Sequence, residues 1–189
     1  MRKLDTIAVL GGGADGRALA AAGLLGGFHV VLEDFRADFL QDALAAVRSV
    51  AEEHARRDPS ASSLEQALSR LRAARTVEDA CREGAGLILD FSTDEMELKL
   101  EIFTLLDKFA IPGAICATNA NSISIAELGA IAYRPELCIG LRIAQRDGRR
   151  ALELVRSRHT LDAAVAACGE FAERIGWGWS VRTELAESG

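Results

Sequence analysis

The sequence lacks a hydrophobic segment long enough to cross a membrane. Its longest apolar stretch, residues 18–31, is interrupted by three glycines and a histidine, whereas a membrane-spanning helix needs about 20 consecutive apolar residues. The N-terminus leads straight into a predicted strand, without the apolar segment and cleavage site of a secretory signal peptide. These absences predict a cytoplasmic protein with no membrane partner.

The sequence also lacks closely spaced cysteine pairs and an excess of positive charge. Its four cysteines lie far apart and form no C-x-x-C pattern, which favours reduced, partly buried thiols over a metal site or disulfide bonds. The net charge is −6, whereas a surface that binds nucleic acid is normally basic. We therefore expect neither a metal centre nor a nucleic-acid partner.

Strand and helix patterns alternate along the 189 residues, with no repeat, low-complexity tract or linker. A chain of this length forms one ordinary domain. The alternation predicts an α/β fold, in which a doubly wound, mostly parallel sheet carries helices on both faces. The predicted strands cover residues 6–10, 29–33, 71–75, 87–91, 114–117, 137–141, 151–155 and 177–182, and the predicted helices cover residues 14–25, 39–57, 63–71, 77–82, 95–109, 123–128 and 160–175.

A glycine turn after the first predicted strand is the most informative motif. Gly11, Gly13 and Gly16 have the spacing G-x-G-x-x-G between an apolar strand and an alanine-rich helix. Asp34 closes the next strand about twenty residues later, where a carboxylate can bind the hydroxyls of an adenosine ribose. This context predicts a Rossmann-type site with a pyrophosphate at the helix N-terminus. The alternative is a glycine turn that only packs a helix against a sheet.

Four stretches of the chain, in order, resemble the NAD-binding domain of the L-3-hydroxyacyl-CoA dehydrogenases. Residues 11–17 carry the glycine turn, and residues 90–99 are similar to the family's E-A-V-x-E-x-x-x-x-K segment. Residues 117–125 are similar to its A-S-N-T-S-S-L-x-I, and residues 134–141 to its R-P-x-x-F-x-G-L. The resemblance covers residues 6–182 and implies NAD as the cofactor.

The cofactor residues implied by the resemblance are Phe91, in the loop under the cofactor, and Lys99 and Asn119, which approach the nicotinamide ribose. Asp34 favours NAD over NADP because a carboxylate repels a 2′-phosphate. Arg36 nearby either weakens that preference or is simply solvated. Asp15 stands where the family usually has an apolar residue beside the diphosphate. Its carboxylate is favourable at a helix N-terminus but would compete with the pyrophosphate for the same N–H groups.

The catalytic positions implied by the resemblance are altered. Arg142 stands where the family has its catalytic histidine, and arginine keeps its proton at physiological pH, so it cannot be a general base. Asn121 stands at the position of the catalytic serine. Glu153 matches the acid that orients the histidine, and we expect it to pair with Arg142 unless it serves as a substitute proton acceptor.

The surroundings of this altered site also leave alternatives open. Arg142, Arg146, Arg149 and Arg150 form a basic cluster, which is either a solvated loop or a site for an anion such as a carboxylate or the phosphates of CoA. We expect this chain to lack the family's helical C-terminal domain, with residues 184–189 as a tail. The chain is therefore expected to be a single domain over residues 1–189, either a stand-alone relative or one half of a split protein. We expect a homodimer or a partner protein to cover the exposed surface.

Three functional hypotheses follow. The first is an NAD-dependent oxidoreductase of the hydroxyacyl-CoA dehydrogenase type that acts on an acyl-CoA or another anionic substrate, with altered or lost catalytic residues. The second is a non-catalytic NAD-binding module that docks on a partner. The third is a scaffold that binds no dinucleotide, in which Asp15 itself caps the helix terminus.

Overall fold

The computed structural model describes residues 4–58, 63–119, 121, 124–131 and 134–184. Within these residues, eight strands form one sheet in the order β3-β2-β1-β4-β5-β6-β7-β8. The strands are β1 (Thr6–Leu10), β2 (His29–Glu33), β3 (Leu71–Ala74), β4 (Leu87–Asp90), β5 (Ile115–Asn119), β6 (Cys138–Arg146), β7 (Arg149–Arg156) and β8 (Gly178–Thr183). The helices are α1 (Ala14–Leu25), α2 (Ala37–Arg57), α3 (Leu64–Leu68), α4 (Val77–Arg82), α5 (Met96–Phe109), α6 (Ile125–Ile131) and α7 (Asp162–Arg174).

The sheet confirms the predicted doubly wound α/β class. All neighbouring strands are parallel except the β6–β7 pair. The strand order reverses between β1 and β4, since β2 and β3 extend to one side and β4 to β8 to the other. In open α/β sheets, ligands bind outside the carboxyl ends of the strands at such a reversal. The glycine turn lies at this point, directly after β1.

The core occupies both faces of the sheet, because successive strand residues point to opposite sides. Val9 and Leu89 pack with α1, α2 and α7 on one face, whereas Leu10 and Ile88 pack with α4 and α5 on the other. Burial on both faces explains why β1 and β4 are continuous apolar runs in the sequence. No helix among the described residues has the length and apolar character needed to cross a membrane.

Two predicted helix caps have the expected geometry. The Ser63 hydroxyl accepts a hydrogen bond from the Gln66 N–H at 3.2 Å, and the Thr76 hydroxyl accepts one from the Asp79 N–H at 3.1 Å. Each hydroxyl satisfies one of the N–H groups that a helix start leaves without an intrahelical partner. The two short helices α3 and α4 therefore begin where the sequence indicates.

The β6–β7 pair differs most from the sequence-based prediction. The two strands form an antiparallel hairpin that extends well beyond residues 137–141 and 151–155 and turns at Asp147 (φ 50°) and Gly148 (φ 73°). A two-residue turn with two positive φ values matches the twist of a hairpin. The outer part of the hairpin was missed because arginines and a glutamine interrupt its apolar pattern.

The hairpin also divides the predicted basic cluster. Arg146 pairs with Arg149 in register and Arg142 lies four residues before Arg146 on the same strand, so these three side chains project from one face. Arg150 projects from the opposite face, where its guanidinium lies 5.5 Å from the centroid of the Trp177 ring. The four arginines therefore do not form one anion site, which corrects the interpretation of a single cluster.

Candidate functional site

Two glycines of the turn are required by the packing of the chain against itself. Gly11 has φ +99°, and a Cβ there would lie 2.5 Å from the Phe91 carbonyl oxygen. A Cβ on Gly16 would lie 1.9 Å from the Gly11 carbonyl oxygen. Both distances are far below van der Waals contact, so a side chain at either position would displace backbone. Phe91 thus lies beside the turn, as the resemblance implies, and its N–H donates to the Leu10 carbonyl at 2.8 Å.

Gly13 differs, because a Cβ built there would meet no atom of the described residues within 4 Å. Gly13 is the N-cap of α1 and has an ordinary extended conformation, with no side chain capping the helix. The chain's own packing therefore gives no reason for glycine at this position. The open space lies at the N-terminus of a 12-residue helix, which is the environment that a pyrophosphate requires.

Asp15 is exposed in the first turn of α1. None of the hydrogen bonds between described residues involves its carboxylate, so the capping contact that the scaffold hypothesis requires is not observed there. Arg17 stabilises the turn from the other side, since its Nε donates to the Gly12 carbonyl at 2.6 Å. Asp15 still places a negative charge beside the proposed pyrophosphate position.

Asp34 is buried at the end of β2 and is held by several donors. Its Oδ2 accepts the Gly12 N–H at 2.9 Å, and its Oδ1 accepts the Arg36 N–H at 3.0 Å. The Arg36 side chain adds Nε to Oδ1 at 3.2 Å and Nη2 to Oδ2 at 3.3 Å. Burial opposes ionisation, but the hydrogen bonds from Arg36 and Gly12 and the Arg36 charge outweigh it and lower the pKa of Asp34. Arg36 is therefore an ion-pair partner and not simply solvated.

Lys99, which the resemblance places near the nicotinamide ribose, forms a buried ion pair in the structure. Its ammonium is fully buried and lies 2.7 Å from Asp90 Oδ2, which also accepts the Thr118 hydroxyl at 3.0 Å. The other Asp90 oxygen accepts the Ser92 hydroxyl at 2.6 Å. A buried ion pair needs such additional hydrogen bonds to offset desolvation. In this conformation Lys99 neutralises the Asp90 carboxylate at the carboxyl end of β4.

Asn119, at the end of β5, carries an acceptor without a partner. The side chain is 7% exposed, its Nδ2 donates to the Asp94 carboxylate, and its buried Oδ1 has no hydrogen-bond partner among the described residues. Buried polar atoms in folded proteins nearly always have a partner, so a hydrogen-bond donor of a ligand fits here. Asn121 follows close by and is exposed.

Two acidic residues at the carboxyl edge of the sheet were not predicted as site residues from the sequence. Asp94 contacts Asn119 and occupies the second acidic position of the E-A-V-x-E-x-x-x-x-K pattern, which was the available signal. Glu33 is buried beside Asp34. Burial, followed by the charges of Asp34 and Asp90, raises the pKa of Glu33 from 4.5 to about 7. No sequence pattern marks that shift, because it depends on the neighbours that the strand order provides.

Arg142, which the resemblance places at the position of the catalytic histidine, belongs to a cluster of ion pairs. Arg142 and Glu153 lie opposite each other in the β6–β7 register, with Arg142 Nη1 4.0 Å from Glu153 Oε1. Arg182, on β8, donates from Nε to the same oxygen at 2.6 Å. The expected pairing of Glu153 with Arg142 is therefore present, but Arg182 is the closer partner. Sequence reasoning missed Arg182 because only the β7–β8 register brings it to Glu153.

The family model for the NAD-binding domain of 3-hydroxyacyl-CoA dehydrogenase matches residues 6–180. The chain belongs to this family. A 3-hydroxybutyryl-CoA dehydrogenase from Bradyrhizobium diazoefficiens is 33% identical over 175 residues, which are 92% of this chain and 59% of that protein. A probable 3-hydroxybutyryl-CoA dehydrogenase from Bacillus subtilis is 24% identical over 92% of this chain and 61% of its own length. The chain thus spans about three fifths of these relatives.

Solved structures of the same family have the same fold. A 3-hydroxybutyryl-CoA dehydrogenase from Escherichia coli superimposes with a TM-score of 0.85 at 24% identity, over 96% of this chain and 38% of that one. An (S)-3-hydroxybutyryl-CoA dehydrogenase from Ralstonia eutropha gives 0.85 at 23% identity, over 97% and 65%. NAD is the cofactor of this domain family, and the open space at Gly13 and the free Asn119 acceptor fit a dinucleotide along this edge.

Proposed function

We propose that this chain is the NAD-binding part of an oxidoreductase that acts on the CH–OH group of a hydroxyacyl substrate, with an altered proton-transfer position. The observation that carries the proposal is the open space at Gly13, which the protein's own packing does not explain. The N–H groups at the start of α1 would hold the pyrophosphate there. Asp34 would face the adenosine ribose, and Asn119 Oδ1 would accept a hydrogen bond from the nicotinamide end.

The bound nicotinamide would supply hydride chemistry, and the protein must provide the accompanying proton transfer. Arg142 cannot accept a proton, but its guanidinium can donate hydrogen bonds to a substrate carbonyl or carboxylate oxygen. Glu153 is the carboxylate that pairs with Arg142, and it also forms an ion pair with Arg182. Proton transfer in this site would therefore depend on Glu153 or on water.

A second candidate is a non-catalytic NAD-binding module that docks on a partner protein. The contacts of Glu153 favour it, because Arg142 and Arg182 both pair with its Oε1, so this oxygen is already engaged within the protein. Both candidates predict cofactor binding, and they differ only in turnover. A homodimer or a partner chain, an acyl-CoA or another anionic ligand, and a cytoplasmic location are further parts of this proposal.

The experiment compares wild type, Arg142→His and Arg149→His in the reduction of a 3-oxoacyl-CoA thioester by NADH. Arg142→His places an imidazole opposite Glu153, whereas Arg149→His makes the same exchange near the turn of the hairpin. Measurable turnover by wild type supports the oxidoreductase. NADH binding without turnover, with activity appearing only in Arg142→His, supports the non-catalytic module. A failure of NADH to bind would contradict both.

A further inference from the structure

The acid that faces the adenosine ribose is already neutralised by an arginine. A free carboxylate at this position excludes a 2′-phosphate by repulsion. Asp34 instead accepts four hydrogen bonds, three of which come from Arg36. An ionised carboxyl group has about four acceptor sites, so its capacity is taken up within the protein. The local charge that would discriminate against NADP is therefore largely balanced.

Arg36 also retains donors for a second anion. The two side-chain bonds to Asp34 use one Nε and one Nη2 hydrogen, and a guanidinium has five N–H donors in a planar fork. The side chain is 42% exposed, so the rest of the fork is open to solvent. Its guanidinium carbon lies 3.5 Å from the centroid of the Phe39 ring, which fixes the plane of the fork.

The surrounding loop adds a second guanidinium and an exposed ring. Arg75, at the end of β3, donates from Nη2 to the Phe35 carbonyl at 3.3 Å, and the Phe35 side chain is 74% exposed. Asp38 lies in the first turn of α2. The two arginines and the two aspartates sum to a charge near zero. This balance favours tolerance of both cofactors and not an inverted preference.

We propose that the adenosine end of this site accepts a 2′-phosphate, so that the protein binds NADP(H) as well as NAD(H), with Arg36 as the residue that determines this specificity. Arg36 keeps its contact with Asp34 and directs its remaining donors to the phosphate, which guanidinium forks bind well. The inference rests on the proposed function, since it requires a dinucleotide at this edge of the sheet.

Isothermal titration calorimetry of the full chain with NADH and NADPH tests the inference. Adenosine 5′-monophosphate and adenosine 2′,5′-bisphosphate serve as probes that isolate the adenosine end from Asp15 and the nicotinamide end. We expect wild-type affinities for NADH and NADPH within about tenfold of each other, a difference of about 1.4 kcal/mol. Arg36→Gln should lower the affinity for NADPH relative to that for NADH by at least tenfold, because it removes the guanidinium and leaves the charge of Asp34 unbalanced.

Two variants control the experiment. Arg48→Gln removes an exposed arginine from α2, the helix whose N-cap is Arg36. Arg48 lies about 18 Å further along the helix axis at 1.5 Å per residue, so this variant should change neither affinity. Arg36→Lys keeps the charge without the fork and should bind NADPH at an intermediate level.

Four outcomes would overturn the inference, and the last two would overturn the proposed function as well. The first is wild type that binds NADH but discriminates more than a hundredfold against NADPH, and the second is equal weakening of both cofactors by Arg36→Gln and Arg48→Gln. If neither dinucleotide binds but adenosine 2′,5′-bisphosphate does, the proposed function fails while Arg36 still binds a phosphate. If no probe binds at all, both the proposed function and this inference fail.

Discussion

The carboxyl edge of the sheet has two halves that are stabilised in different ways. The glycine half, formed by Gly11–Gly16 and Asp34, is determined by backbone contacts and by buried hydrogen bonds. The arginine half, formed by Arg142, Glu153 and Arg182, consists of partly exposed side chains on the β6–β7 hairpin and the neighbouring strand β8. Side chains at Gly11 or Gly16 would disturb the fold. Substitutions in the arginine half should cost little folding stability, because its side chains are partly exposed.

The largest difference should appear between the buried Lys99–Asp90 ion pair, which lies at the carboxyl end of β4 next to the glycine half, and the partly exposed Arg182–Glu153 pair of the arginine half. Lys99→Met leaves the buried Asp90 carboxylate without its cation and should cost about 3–5 kcal/mol of unfolding free energy. Arg182→Gln breaks a partly exposed pair of similar N–O distance and should cost less than about 1 kcal/mol. Urea unfolding measures both variants. Equal losses would contradict the comparison.

The glycines themselves sharpen the comparison. Gly16→Ala forces a Cβ against the Gly11 carbonyl and should destabilise the fold by about 3 kcal/mol. The new methyl group in Gly13→Ala meets no atom within the described part of the chain, so we expect a loss of at most about 1 kcal/mol and at least a tenfold weaker affinity for NADH. Unfolding curves and calorimetry separate the two effects. A Gly13→Ala protein that binds NADH normally would show that the open space is not the pyrophosphate site.

Glu33 provides a smaller effect that depends on pH. Its pKa is raised from 4.5 to about 7 in the folded state, so the folded protein binds more protons than the unfolded chain between these values. Stability due to Glu33 is therefore highest below pH 4.5 and falls as the pH rises to about 7, by about 3 kcal/mol. Glu33→Gln should remove this decline, which urea unfolding at pH 5 and pH 8 can measure. Parallel pH profiles of the variant and wild type would show that Glu33 ionises normally.

The sequence predicts most of the fold because the inner strands depend on local patterns. The apolar runs of β1 and β4 and the glycine turn are visible at short range, and the structure confirms their order and bounds. The extended β6–β7 hairpin was missed because its outer residues are polar, although Asp147-Gly148 is a favourable hairpin turn.

The candidate site was less predictable because its contacts depend on strand register. Arg182 reaches Glu153 only through the pairing of β7 with β8, and the raised pKa of Glu33 depends on β1 lying between β2 and β4. The position of Asp34 was predicted from spacing, but its bidentate contact with Arg36 was not. Lys99 was predicted as a cofactor residue from a motif, and a motif cannot show that its side chain is buried in an ion pair with Asp90.

Titration of NADH into wild type and Asp15→Met by calorimetry tests the central claim, that the glycine half is a working NAD site. We predict that wild type binds NADH in the micromolar range and that Asp15→Met binds several-fold more tightly, because a negative charge beside the pyrophosphate is removed. Binding by Asp15→Met alone, or by neither protein, would contradict the claim.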